Sequence, residues 1–347
     1  MRLLLIEPSL NHHETLLALI AHAQAQPDPI EVFVAAPSLY QSLYTSLDEV
    51  RRYFSLSDSL EEMMTWVQEE KIELVLHNTA YGRLTLRLSR LLKGLPQIGI
   101  VHDTAKLHQL SFMGWSIAWH LSGFFVLREK LYRNLPGIWR SKAHVLHLTD
   151  LPASLWARLP TLHKPNHEKW IAIPGRVELK RRAYLDLIQA LPPASKMPAW
   201  RFLLLGPAEA PYSDWKTVAF HLRDRGILSY FQVFPQGLSF RDYHAYLRAC
   251  DAVLPLIHPS TPYFKKYLQY QITGAFSSAF THRKPLLLHS AFADEEDLRD
   301  ASFFYSTPSE LIELLHALPT KPLYEKPFWE QSKQTLGNLL REVRGRA

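Results

Sequence analysis

The sequence of 347 residues has little cysteine and no long hydrophobic run. Its one cysteine, Cys250, excludes a disulfide within the chain and fits a reducing compartment. No window approaches the roughly eighteen uncharged apolar residues that are typical of a membrane-spanning helix. In the opening "MRLLLIEPSL", Glu7 and Pro8 end the apolar run, which predicts a first β-strand instead of a signal peptide. We therefore expect a cytoplasmic protein.

The sequence also lacks the short motifs of several enzyme classes. No Gly-rich dinucleotide fingerprint follows the first predicted strand, and no P-loop or G-x-S-x-G elbow occurs. His12 and His13 have no carboxylate or cysteine pattern beside them that would complete a metal site. The net charge of +6 favours anionic partners, but the chain has no long Lys/Arg block. We expect no metal, no required cofactor and no nucleic-acid partner.

Short apolar runs alternate with helical patterns along most of the chain. This alternation predicts βαβ units and parallel sheets that are covered on both faces. It pauses in the Pro-rich stretch "LTDLPASLWARLPTLHKP" and then restarts. We predict a Rossmann-like, acceptor-side domain over residues 1–155 and a second Rossmann-like domain over 165–325. A basic helix within 326–347 is expected to pack back on the first domain.

Two segments of the second half follow predicted strands, where ligands bind in doubly wound sheets. "IPGRVELKRRAYLDLIQAL" places Arg176 and Lys180 where a strand passes into a helix. Cations oppose the dipole of a helix N-terminus, so a bound dianion explains them, although a solvated basic helix start is the alternative. Thr273 and Gly274 begin a helix of small residues, which predicts either a phosphate site at its backbone N–H groups or an ordinary cap.

Two segments of the first half also follow predicted strands. His102 and Asp103 come directly after "QIGIV", so His102 is a candidate for proton transfer or hydrogen bonding to a substrate. The alternative is a histidine satisfied by neighbouring backbone groups. Asn11, His12 and His13 lie between the first strand and its helix.

Taken in order, these segments resemble the GT-B glycosyltransferases, in particular retaining glycosyltransferase family 4. "GRVELKR" is similar to that family's G-R-x-x-x-x-K stretch with one residue fewer, whose Arg and Lys clamp the diphosphate of a nucleotide sugar. "VFPQGLSFRDYHAYLRACDAVLPLI" is similar to the segment whose first loop lines the nucleobase. "TGAFSSAFTHRKPLLL" looks like the helix before G-K-P, whose N-terminus holds the phosphates. His102 matches the family's histidine that contacts the transferred sugar.

The resemblance implies a GT-B fold, with two Rossmann-like doubly wound α/β domains facing a central cleft. It implies catalytic roles for His102 and Asp103, and an acceptor-side role for Asn11, His12 and His13. The nucleotide-binding residues that it implies are Arg176, Lys180, Gly206, Phe234, Gln236, Thr273, Gly274 and Ala275. The implied activity is metal-independent, retaining transfer from a UDP- or GDP-sugar to a glycan or lipid-linked acceptor, in polysaccharide or cell-envelope biosynthesis.

The sequence departs from the family at one important place. The Glu-x7-Glu motif should fall near Gln269 to Ser278, and Ser278 stands where the second Glu is expected. The Gly pair usual after the first strand is also absent. The sequence therefore leaves open a divergent enzyme, an epimerase of the same fold, or a non-catalytic GT-B module that binds a partner.

The first half also carries cations beside apolar residues. "GRLTLRLSRLLKGL" places Arg83, Arg87 and Arg90 at helical spacing next to leucines, and Trp115, Trp119 and Trp139 follow. This pattern predicts peripheral contact with an anionic membrane at its inner face. The alternative is that the leucines are core and the arginines are merely solvated.

Overall fold

The computed structural model describes residues 1–108, 112–318 and 328–345. The chain divides into two compact units. The first unit comprises Met1–Ala157, Gln269–Ile272 and Lys326–Ala347. The second unit comprises Arg158–Leu268 and Thr273–Glu325.

The first unit is built on seven parallel strands with helices between them. Its strands are β1 (Arg2–Ile6), β2 (Glu31–Ala36), β3 (Val50–Ser55), β4 (Leu74–His77), β5 (Gln97–Val101), β6 (Gly123–Val126) and β7 (Ala143–Val145). Its helices are α1 (His13–Gln24), α2 (Gln41–Thr45), α3 (Leu60–Glu69), α4 (Arg83–Leu91), α5 (Ala105–His108), α6 (Phe112–His120), α7 (Glu129–Arg133), α8 (Gly137–Arg140), α9 (Ala153–Ala157) and, at the end of the chain, α17 (Phe328–Gly345). The sheet order is β3-β2-β1-β4-β5-β6-β7.

The apolar runs of the sequence become the central strands of this sheet. Leu3 to Ile6 of β1 are fully buried, because β1 pairs with β2 on one side and β4 on the other and helices cover both faces. Short polar motifs mark where helices begin. Ser59 and Glu62 form a capping box at the start of α3, in which each side chain bonds the other's backbone N–H.

The second unit repeats this architecture with six parallel strands. Its strands are β8 (Lys169–Ile173), β9 (Trp200–Pro207), β10 (Phe231–Phe234), β11 (Ala252–Val253), β12 (Leu286–His289) and β13 (Ser302–Tyr305). Its helices are α10 (Tyr184–Ala190), α11 (Trp215–Asp224), α12 (Phe240–Ala249), α13 (Phe264–Gln269), α14 (Gly274–Thr281), α15 (Glu296–Arg299) and α16 (Pro308–Ala317). The sheet order is β10-β9-β8-β11-β12-β13, and its core includes Ile171, Phe202 and Leu187.

The terminal helix α17 packs against α1 of the first unit. Leu336, Leu339 and Leu340 are buried there, and the side chain of Gln26 donates to the Lys333 carbonyl at 3.0 Å. Among the helices of the described ranges, none combines the length and apolar character that crossing a bilayer requires.

Candidate functional site

Both sheets reverse their strand order next to their first strand. The switch lies between β1 and β4 in the first unit and between β8 and β11 in the second. Ligands of open α/β sheets bind outside the carboxyl ends of the strands at such a point. The loops after β1, β4, β8 and β11 therefore hold the first candidates for a site.

A buried carboxylate, Glu7, organises the carboxyl edge of the first unit. Its Oε1 accepts hydrogen bonds from the backbone N and the Oγ of Ser9, at 2.8 and 2.7 Å. Its Oε2 accepts from Asn78 Nδ2 and Thr79 Oγ1, both at 2.6 Å. Burial raises the pKa of the Glu7 carboxyl, although the hydrogen bonds from Thr79 and Ser9 act against this shift. Sequence reasoning missed Glu7, Asn78 and Thr79 as members of the site.

His12 begins the helix after β1 in a left-handed backbone conformation, with φ of 63°. Its carbonyl accepts hydrogen bonds from Asn78 Nδ2 at 2.9 Å and from Thr15 Oγ1 at 2.7 Å. Its ring stacks on that of His102, with 3.9 Å between centroids and 21° between planes. Asn11, its exposed neighbour, donates its backbone N–H to Ser9 Oγ at 3.1 Å. The structure thus brings the loop after β1 into contact with the histidine after β5.

The ring of His102 has a defined tautomer. Its Nε2 lies 2.7 Å from the carbonyl oxygen of Asn78, and because a carbonyl can only accept, Nε2 carries the proton. Burial, reinforced by nearby His12, lowers the pKa of His102 well below its ordinary value, so the ring is neutral. Nδ1 is therefore an acceptor, and among the described residues it has no hydrogen-bond partner. The backbone satisfies only one nitrogen, and the other is a buried acceptor.

The two remaining candidates of the first unit are held by neighbouring groups. Asp103 Oδ1 accepts from the Ala105 backbone N at 3.1 Å, and Asp103 forms an antiparallel bridge with Gln271. His13 Nδ1 lies 2.6 Å from Tyr44 Oη and its Nε2 lies 3.1 Å from the Ser9 carbonyl. Burial lowers the pKa of His13 to about 4. Both ring nitrogens of His13 are thus engaged inside the unit.

In the second unit, two glycines shape the loop after β8. Gly175 has φ of 92°, a left-handed conformation that favours glycine. A Cβ on Gly206, in β9, would overlap the carbonyl group of Gly175 and lie 2.8 Å from the backbone N of Arg176. Gly206 therefore allows β9 to approach the peptide that carries Arg176.

The four cations of this loop differ in their surroundings. Arg182 is buried and donates to the Pro255 carbonyl. Arg181 Nε lies 2.8 Å from Oε2 of the buried Glu178, and its Nη1 donates to Tyr267 Oη at 3.0 Å. Lys180 Nζ lies 3.6 Å from the same Glu178 oxygen, with half of its side chain exposed.

Arg176 is the loop's other exposed cation. Within the described ranges it has no hydrogen bond or ion pair. The sequence pattern singled out Arg176 and Lys180, but it did not show that Glu178 and Tyr267 restrain Arg181. Arg176 and the half-exposed Lys180, which also pairs with Glu178, are therefore accessible to an anion, while Arg181 and Arg182 hold the loop in place.

Phe234 and Gln236, the candidates for contact with the nucleobase, lie next to the residues that follow β9. Ala208 N donates to the Phe234 carbonyl at 3.2 Å, and Glu209 N donates to the Pro235 carbonyl at 3.0 Å. Exposed Gln236 Nε2 lies 3.4 Å from Glu209 Oε2. The structure thus places Phe234 and Gln236 beside Ala208 and Glu209, which follow Gly206 closely in the chain.

Thr273, Gly274 and Ala275 form a second group at the start of α14, which packs beside β11. Thr273 Oγ1 accepts the Ala275 N–H at 3.4 Å, so the expected cap is present and that N–H is engaged. Gly274 is exposed. One turn further, Ser278 Oγ lies 2.8 Å from Tyr243 Oη.

Within the described ranges, no group of three or more His, Cys, Asp or Glu side chains is arranged to hold a metal ion.

No family model matches the sequence, and no curated protein matches it. Several solved structures are nevertheless similar over nearly the whole chain. Anabaena Alr3699/HepE in complex with UDP and glucose is 14% identical, with 100% of both chains covered and a TM-score of 0.61. Escherichia coli ADP-heptose lps heptosyltransferase II is 14% identical, with 92% of this chain and 98% of that chain covered and a TM-score of 0.54. Sucrose-phosphate synthase from Thermosynechococcus elongatus is 11% identical, with 100% of both chains covered and a TM-score of 0.58.

These similarities confirm the predicted fold class, because both units have the Rossmann-like parallel sheets of GT-B glycosyltransferases. At such low identity the likeness concerns the fold alone, and it does not single out family 4.

Proposed function

We propose that the protein is a glycosyltransferase that moves a sugar from a nucleoside-diphosphate sugar to an acceptor. Support comes from the fold, since similar solved structures include a heptosyltransferase and a protein in complex with UDP and glucose. The observation that carries the proposal is the loop after β8, where Arg176 and Lys180 stay exposed at the switch point of the second sheet. An exposed pair of cations at that place suits a diphosphate.

The chemistry of the donor explains why this loop is built as it is. When the glycosidic bond to the diphosphate breaks, negative charge develops on the leaving group, and fixed cations stabilise it without a metal. Glu178 and Tyr267 hold Arg181, which keeps the loop in one conformation before the donor arrives. Gly206 and the loop with Phe234 and Gln236 supply the nucleoside side, and the start of α14 supplies a further backbone donor at Gly274.

His102 is assigned to the transferred sugar. Its neutral ring keeps Nδ1 as a buried acceptor, which suits a sugar hydroxyl that enters this edge and does not suit a phosphate. Asp103, directly after it, is assigned to the same catalytic group. Asn11, His12 and His13 are assigned to the acceptor side, where Asn11 is the most exposed of the three.

The finer features of the proposal follow the sequence resemblance. We infer a retaining, hexosyltransferase-type, metal-independent transfer from a UDP- or GDP-sugar. The acceptor is a glycan or lipid-linked molecule of polysaccharide or cell-envelope biosynthesis, reached by a cytoplasmic protein at the inner face of the membrane. The domain roles are those expected from the sequence, with the donor on 165–325 and the acceptor on 1–155.

One observation favours a second candidate, a non-catalytic GT-B module. Helix α14 carries no carboxylate, and Ser278, at the position expected for the second Glu of the family motif, is engaged by Tyr243. A chain that had lost donor turnover but kept its fold would show such a change.

Calorimetric titration with UDP and GDP tests the proposal. Arg176→Ala and Lys180→Ala are each expected to weaken binding by about 1.5–3 kcal/mol, the contribution of a charge-assisted hydrogen bond. Lys216→Ala, which removes an exposed cation on α11, is the matched control and should leave affinity unchanged. Melting temperatures should hardly move, because exposed charges contribute little to stability.

Unchanged affinity for both nucleotides in the Arg176 and Lys180 variants would refute the donor site. If binding is found, release of UDP or GDP from nucleotide sugars then separates an enzyme from the non-catalytic module.

A further inference from the structure

One face of the first unit combines exposed cations with exposed large apolar side chains. We call it the α4–α6 surface and define it by Arg83, Arg87 and Arg90 on α4 and by Phe112 and Trp119 on α6. The two helices pack side by side. They follow adjacent strands β4 and β5, and right-handed crossovers place such helices on the same face of a parallel sheet.

The three arginines form one stripe of α4. They are exposed and lie four and three residues apart, so they share one side of the helix. The opposite side faces the core, where Leu88 is fully buried and Leu86 packs against the cluster that contains Ile117. The leucines are therefore core and the arginines are exposed to solvent, as the alternative considered from the sequence expected, and membrane contact stays a prediction.

The apolar residues of α6 form a matching stripe. Phe112 is 80% exposed and Trp119 is 70% exposed, and their seven-residue spacing places them on one side of the helix. The other tryptophans expected at this surface lie elsewhere: Trp139 is buried and Trp115 packs edge-on against it at 5.4 Å. The exposed aromatics of this helix are thus not part of the core.

The segment of sequence that carries α4 and α6 has few carboxylates. From Leu74 to Arg128 the only carboxylate side chain is that of Asp103. Lys142 Nζ lies 5.8 Å from the ring centroid of Trp119, which adds a cation beside the aromatic stripe. A surface with exposed aromatics and flanking cations complements an anionic, partly apolar partner.

We propose that the α4–α6 surface binds an anionic lipid bilayer. Phe112 and Trp119 enter the boundary between headgroups and acyl chains, where aromatic side chains are favoured, and the arginines contact lipid phosphates. Each surface cation strengthens such binding about fivefold, so three arginines explain a large effect. This inference goes beyond sugar transfer, because binding to vesicles requires neither nucleotide nor acceptor.

Cosedimentation with vesicles tests the proposal. The full chain should sediment with vesicles that contain phosphatidylglycerol and remain in the supernatant with phosphatidylcholine alone. High salt should release it, because counterions screen exposed charges. Arg87→Glu combined with Arg90→Glu should weaken binding by at least about tenfold. Phe112→Ala combined with Trp119→Ala should weaken it by about tenfold at low salt, where the charge attraction is unchanged.

Helix α11 of the second unit offers a matched control, because it carries exposed Phe220 together with exposed Lys216 and Arg223. Phe220→Ala and the double variant Lys216→Glu, Arg223→Glu should leave vesicle binding unchanged. Far-ultraviolet circular dichroism establishes that each variant is folded.

Three outcomes would overturn the proposal. One is a chain that stays in the supernatant with phosphatidylglycerol vesicles at low salt. Another is an equal loss of binding from the α11 variants, which would show attraction by net charge alone. The third is a dimer that Trp119→Ala disperses in the absence of lipid binding, which would assign the surface to a second copy of the chain.

Discussion

The carboxyl edges of the two sheets share one topology and differ in chemistry. In the first unit, the switch point holds a buried network in which Glu7 and a neutral His102 both bond Asn78. In the second unit, the switch point presents Arg176 and Lys180 to solvent. Strand order fixes where a ligand binds, and the side chains at that edge decide its charge. In the proposed function, the first edge holds an uncharged sugar and the second holds the diphosphate.

Among the predicted effects, acidification should produce the largest difference in stability between the two units. In the first unit, burial lowers the pKa of His13, His22 and His77 to about 4, and it lowers the pKa of His102 well below its ordinary value. Below pH 6.5 the unfolded chain binds more protons at these positions than the folded unit does. As the pH falls, each of these histidines therefore lowers the free energy of unfolding by about 1 kcal/mol per pH unit, until the pH reaches the pKa that the histidine has in the folded state.

Glu7 acts in the opposite direction, because its pKa is raised in the folded state and its contribution to the free energy of unfolding therefore falls as the pH rises above 4.5.

In the second unit, burial lowers the pKa of two histidines strongly, His244 to about 3 and His282 to about 2. Between pH 6.5 and 4 the first unit should consequently lose several kcal/mol, and more than the second. Hydrogen exchange of peptides from each unit measures this, and earlier opening of the second unit would contradict it.

Gly206→Ala should have the next largest effect, and it should be confined to the second unit. The added Cβ overlaps the Gly175 carbonyl, so we expect a destabilisation of about 2–3 kcal/mol together with weaker binding of UDP. Gly137→Ala in the first unit is the control, because among the described residues no surrounding atom would lie within 4 Å of the added Cβ. A Gly206 variant with unchanged stability and UDP affinity would show that this contact does not shape the loop.

His102→Ala separates the roles of the two edges. If the first edge holds the sugar, turnover with a nucleotide sugar should fall by about 2 kcal/mol of transition-state stabilisation, while affinity for free UDP or GDP stays the same. Steady-state kinetics and titration of the same variant measure both. Loss of UDP affinity without loss of stability would instead move His102 to the nucleotide.

Ser278→Ala should have the smallest effect. It removes the bond to Tyr243 Oη in the second unit and should cost about 1 kcal/mol in thermal unfolding, with UDP affinity unchanged. A clear fall in UDP affinity would show that this hydroxyl contacts the nucleotide in place of the missing carboxylate.

The sequence predicted the central strands well and the outer ones less well. Runs such as Leu3–Ile6 are buried on both faces and are continuous in apolar residues. Strand β3 was missed, because it lies at the sheet edge and carries exposed Arg51 and Arg52. The stretch "SFMGWSIAWHLSGFFVL" hid a boundary, since α6 and β6 within it are both apolar.

For the candidate site, the sequence predicted where the residues lie in the fold, but it did not predict the contacts that hold their side chains. Residues after strands could be chosen from the sequence, among them Arg176 and His102. Whether a cationic side chain is held by a partner or left exposed depends on residues far along the chain, as the hydrogen bond between Arg181 and Tyr267 shows. The tautomer of His102 depends in the same way on the carbonyl of Asn78. Such contacts leave no local sequence signal.

Hydrogen exchange with and without UDP tests the central claim most directly, because it reports on both edges in one experiment. We predict slower exchange in the segment 174–183 and near Gly206, at the edge of the second sheet. The loops 7–13 and 78–82 of the first unit should be unaffected by UDP alone. Protection confined to the first unit, or no protection at saturating UDP, would contradict the assignment of the diphosphate to the second unit.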